Sequence, residues 1–165
     1  MFKNVMVYRI GEGFAPTLAD VQAALEPVQF VECGASQEKS IGWIPPRGEA
    51  HGPLVESVSG QWILKLMIES KAVPGNVVRR KVDERVAEIE AATGRKPGKK
   101  EKRDLMDDAL LSLLPQAFAR QSTVLVWMDL ENRRLVLNAG SQGKADEVMS
   151  ALMNVMAGLS VNLIQ

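Results

Sequence analysis

The sequence predicts an α+β fold: antiparallel sheets, a basic helix–loop–helix finger and flanking helices. Three observations predict it. Several runs alternate apolar and polar residues and are joined by tight turns, the mark of paired antiparallel strands. Stretches with apolar residues three and four apart, the mark of amphipathic helices, come in blocks and do not alternate one for one with the strands. Proline and glycine punctuate the ends of both kinds of segment.

Phe2 to Ile10 alternates and reads as a half-buried strand. Thr17 is placed to cap a helix reaching about Glu26, with Leu18, Val21 and Leu25 on one face and Pro27 ending it. Val28 to Glu32 reads as a short strand, and Gly34 to Pro53 as loop. Leu54 to Val58 and Trp62 to Ile68 flank Ser59-Gly60 as a hairpin. Pro74 suits the first turn of a helix that runs to about Ala92, with Val78, Val82, Val86 and Ile89 as its apolar stripe and Thr93-Gly94 as its close. Arg79, Lys81 and Arg85 fall outside that stripe and face solvent. A second helix, from about Lys99 to Leu114, buries Leu105, Met106, Ala109, Leu110 and Leu113. Phe118 to Asp129 and Leu135 to Asn138 form a hairpin around Glu131-Asn132. Lys144 to Ala157 is a last amphipathic helix, and Val161 to Ile164 a last strand.

At 165 residues and 46% apolar composition, a single region spanning 1–165 is expected, with the 74–114 finger inside it. No apolar run approaches the ~20 residues that cross a bilayer, so the reading is a soluble, cytoplasmic protein with no membrane partner. Cys33 and His51 are each the sole residue of their type, which excludes an intramolecular disulfide and a cysteine metal cluster. No metal and no cofactor is expected. Gly11-Glu12-Gly13 lacks the third glycine of a phosphate-cradling turn. Trp43, Trp62 and Trp127 read as core or rim of the sheets.

Net charge is zero, but its distribution is uneven. Lys71 to Arg103 carries eleven Lys or Arg against five Asp or Glu, and Arg95 to Arg103 holds six basic residues in nine. Such a local excess pairs with phosphates without reading bases. Aromatic residues are nearly absent there, so stacking on unpaired bases has no material and duplex is favoured. Carboxylates for metal-dependent cleavage are scattered. Asp107-Asp108 diverge on a helix, and Asp129 and Glu131 flank a turn where Arg133 stands in place of the lysine such motifs use.

Several stretches taken together resemble the recombination-associated protein RdgC family: Phe2 to Arg9, Gly42-Trp43-Ile44-Pro45-Pro46, Gly94-Arg95-Lys96, Leu113 to Phe118, and Trp127-Met128-Asp129. Their order and spacing cover the whole chain. The resemblance implies a nucleoid-associated protein that forms a ring-shaped dimer around duplex DNA without sequence preference and restrains recombinase-driven strand exchange. It also implies that Lys71, Arg79, Arg95, Lys96, Lys99, Lys102 and Arg120 contact DNA, and that Phe118 lies in a homodimer interface. Gln116 replaces a basic residue of the family pattern. The chain is also about half as long as family proteins, so a weaker dimer is expected.

Three functions compete. A sequence-independent duplex binder, not an enzyme, is marked by the basic segment. A metal-dependent nuclease needs Asp129, Glu131 and further acids to converge. A protein-interaction module acting on full-length relatives needs an exposed apolar patch.

Overall fold

The computed structural model describes residues 4–164. The chain divides into two compact units: residues up to Val31 with Ile41–Ile68 and the chain from Ser122, and Glu32–Ser40 with Glu69–Gln121.

The sheet carries the first unit. Its strands are β1 (Met6–Ile10), β2 (Lys39–Ile44), β3 (Val55–Val58), β4 (Gln61–Lys71), β5 (Ala119–Asp129), β6 (Arg134–Leu137) and β7 (Val161–Leu163). They are ordered β2-β4-β5-β6-β1-β7, with β3 also on β4. The α+β class with antiparallel pairing is the one expected. Ser59 and Gly60 both take positive φ, 51° and 81°, the backbone that joins β3 to β4 in register Val58↔Gln61. β5 and β6 pair with Asp129 opposite Arg134, and β1 pairs with β6 on one side and β7 on the other.

Two helices of this unit keep to their sequence reading. α1 (Leu18–Leu25) starts at Thr17, whose hydroxyl accepts the Asp20 backbone N–H at 3.1 Å. The Asp20 carboxylate accepts the Thr17 N–H at 3.0 Å in return, closing a capping box. α4 (Gln142–Val155) buries Ala145, Val148 and Leu152. With the inward residues of the strands these form a core of 22 buried side chains, among them Trp43, Leu64, Leu66, Val124, Met128 and Leu137.

The second unit holds α2 (Gly75–Thr93) and α3 (Lys99–Leu113), followed by a 3₁₀ turn at Leu114–Gln116. Val78 and Val82 of α2 pack on Ala109 of α3, with Val86, Leu105, Leu110 and Leu113 half-buried around them. Residues early in α2 therefore meet residues late in α3, and the pair is an antiparallel hairpin. Pro74 is the N-cap of α2 and not its first helical residue. Gly94 ends it at φ 71°, donating its N–H to the Glu90 carbonyl at 2.8 Å.

The structure corrects several sequence readings. Val28 to Glu32 is not a strand: Glu26–Val28 is a 3₁₀ turn, and Gln29 makes one isolated parallel bridge to Trp43. The stretch read as loop contains β2, and Gly42 lies so close to the Phe30 and Gln29 backbones that an added Cβ would fall 2.3 Å from Phe30 Cα. β1 begins at Met6, and Phe2 and Lys3 lie outside the described residues. Met106, read as buried, is 52% exposed.

Candidate nucleic-acid interface

The loop between α2 and α3 is built from its two helix ends. Beyond Gly94, the Thr93 hydroxyl donates to the Ile89 carbonyl at 2.7 Å and accepts the Arg95 N–H at 3.4 Å, which fixes the exit from α2. Pro97 is buried and Gly98 is the extended N-cap of α3, with no side chain capping it. Lys99, Lys100, Lys102 and Arg103 then fall in the first turns of α3, all exposed. Cations at a helix N-terminus oppose the macrodipole, at a cost of about 0.3–1 kcal/mol each. Glu101 offsets part of it, and also takes the Arg95 guanidinium at 3.3 Å. Five basic residues of this tip thus remain without an ion pair among the described residues.

The basic character is local to that tip. The second unit as a whole has thirteen Lys or Arg against eleven Asp or Glu, because Asp104, Asp107 and Asp108 follow on α3. Of the expected DNA contacts, Arg95, Lys96, Lys99 and Lys102 come together there. Arg79 does not, since it lies roughly 22 Å back along α2 at 1.5 Å per residue. Lys71 and Arg120 sit with Arg79 toward the other end of the hairpin, at the end of β4 and the start of β5. Gln121 there donates to the Glu69 carboxylate at 3.2 Å, so these strand ends lie side by side. Lys71 is half-buried, with Nζ on the Gly34 carbonyl at 3.2 Å.

Two further residues of this unit stand out, Glu69 by its burial and Phe118 by its exposure. Glu69, at 3% exposure, is the buried charged side chain among the described residues. Strand alternation puts it opposite the inward Ile68, so no pattern could announce its burial. Its backbone carbonyl also accepts the Cys33 thiol at 3.9 Å, and burial, then the Glu69 charge, pushes that thiol upward. Phe118, between the 3₁₀ turn and β5, is 94% exposed, so its ring is not part of the core.

Of the acidic residues in the nuclease reading, Asp129 is engaged in its own turn. Asp129 accepts the Asn132 N–H at 3.0 Å, the Asn132 side-chain amide at 2.8 Å and the Gln61 amide at 3.2 Å. These hydrogen bonds, the Asn132 backbone first, hold its carboxyl below the ordinary carboxylate range. Arg133, in left-handed backbone at φ 55°, donates Nη1 to the Phe14 carbonyl at 2.8 Å and Nη2 to that of Gly11. It fastens a loop and does not face Asp129 as a motif partner. Among the described residues, no three of His, Cys, Asp and Glu converge as metal ligands, and no helix is long and apolar enough to cross a membrane.

A family model described as "Putative exonuclease, RdgC" matches residues 1–165. The recombination-associated protein RdgC of Dechloromonas aromatica is 34% identical over 163 residues, covering 99% of this chain and 53% of that protein. The protein of the same name from Salmonella typhimurium is 32% identical over 160 residues, covering 97% of this chain and 53% of its own. The chain spans about half the length of the curated relatives it matches. It belongs to the RdgC family of recombination-associated proteins.

Proposed function

We propose that the chain binds double-stranded DNA through its phosphates, without reading sequence, on the bacterial nucleoid in the cytoplasm, and thereby restrains recombinase-driven strand exchange. The observation that carries this reading is the Arg95–Arg103 tip, where five exposed cations have no ion-pair partner among the described residues, at a helix N-terminus that itself favours anions. Phosphate oxygens would relieve the mutual repulsion of these cations as well as the macrodipole penalty. Lys71, Arg79 and Arg120 act as a second, weaker set. Phe118 is the contact of a homodimer, since burying so exposed a ring contributes roughly 2–3 kcal/mol per copy.

The chain acts by binding and not by catalysis. Supporting this over cleavage, the Asp129 carboxylate is committed to its turn and Arg133 to the loop carbonyls. The test is a salt titration of duplex binding. With about five phosphates neutralised per subunit, log affinity falls with log salt at a slope near −4 to −5. Lys99→Ala with Lys102→Ala reduces that slope by about two and weakens all sequences alike. A slope near zero, or loss confined to one sequence, overturns the reading; labelled duplex cut in added Mg²⁺ overturns the absence of catalysis.

A further inference from the structure

On one face of the helical hairpin, Val78, Arg79 and Val82 of α2 and Met106, Asp107 and Leu110 of α3 line a cleft of about 390 Å³. Its floor is apolar, because Val78 and Val82 form the buried stripe of α2. Met106 stands at its edge half in solvent, and Leu111, one turn beyond Asp107, is 53% exposed. An amphipathic helix ordinarily turns such side chains inward. The two charges at the rim are opposite in sign and sit on opposite walls, Arg79 on α2 and Asp107 on α3. Neither forms an ion pair with another described residue.

We propose that this face takes the same face of a second copy. A two-fold axis along the hairpin sets α2 of each copy on α3 of the other and makes a four-helix bundle. That axis exchanges the two walls without moving residues along the hairpin. Arg79 therefore meets the partner's Asp107, and Asp107 meets the partner's Arg79. Met106 of each copy enters the partner's cleft, a role its unbranched, adaptable side chain suits. Repulsion between the two basic tips, brought side by side, opposes the association and keeps it weak. The proposal does not rest on DNA binding, and it involves a different surface from Phe118.

The experiment is sedimentation velocity on the full chain carrying Phe118→Ser, which removes that other contact, at moderate salt over a concentration series. Met106→Glu places a carboxylate on the apolar floor, while Arg79→Asp and Asp107→Arg each set like charges face to face. Each should weaken self-association by about tenfold or more, and the double exchange Arg79→Asp with Asp107→Arg should recover the parent constant to within about threefold. Unchanged circular dichroism and melting temperature separate lost association from lost folding. A parent that stays monomeric up to about 0.1 mM overturns the proposal. So do variants that associate like the parent, and a double exchange that binds no better than either single change.

Discussion

Three hydrogen-bond donors converge on the Asp129 carboxylate, and they set how it titrates. Its folded-state pKa lies below the ordinary 3.8, so its contribution to stability is fully present above that value and is lost as pH falls through the lower, folded-state one. Asp129→Asn, which keeps the shape but not the charge-assisted acceptor, should destabilise the protein by about 1 kcal/mol at neutral pH. In urea melts the gap between the two proteins should close below about pH 4; a gap that widens there contradicts the assignment. Phe118 presents the opposite case, a large side chain with almost no contact of its own. Phe118→Ser should leave the melting temperature of the dilute protein unchanged while weakening the homodimer proposed above. Thermal melts with sedimentation on the same samples check both, and unfolding of the variant would return the ring to the core.

At the scale of the element, the hairpin depends on how α2 stops. Gly94 holds φ 71°, where an L side chain is strained, and nothing lies near enough to its Cα for sterics to add to that strain. Gly94→Ala should therefore cost about 1 kcal/mol in denaturant unfolding, through backbone conformation alone. Elements of this kind were legible because their signals are local: alternation and the Ser59-Gly60 turn for β3–β4, the Thr17 cap for α1, the glycine stop for α2. β2 was not, since Lys39-Ser40-Ile41-Gly42-Trp43-Ile44 interrupts its alternation with a glycine whose purpose is a backbone neighbour twelve residues earlier. The apparent strand at Val28 to Glu32 failed because the 3₁₀ turn that follows α1 takes in Val28, leaving Gln29 a single bridge to Trp43. In the candidate interface, the cationic tip was readable from charge spacing. The burial of Glu69 and the exposure of Met106 were not, because periodicity says which residues share a face and not what covers it.

Taken whole, the molecule joins a large core to a small one. The first unit's cluster holds 22 buried side chains, whereas that of the helical hairpin holds three among the described residues. At roughly 1.5–3 kcal/mol for each fully buried aliphatic side chain, the hairpin has much less to lose on opening. Its amides should exchange with solvent by local opening, ahead of those of β5 and β6, which open only with the global transition. Hydrogen exchange followed by mass spectrometry should show this order, and added duplex should slow exchange at 95–103 more than elsewhere. Uniform protection across both units would mean that they unfold as one.

The contact at Gly42 has a consequence for inheritance. Every single-base change that alters a glycine codon's meaning brings in a side chain or a stop, and here any side chain begins with an atom 2.3 Å from Phe30 Cα. That atom would meet main chain, which cannot swing aside as a lysine tip would. Lineages that keep this strand and the bridge beside it thus have no neighbouring codon to drift into. Position 42 should stay glycine while the exposed tip, held only by charge, exchanges lysine for arginine freely.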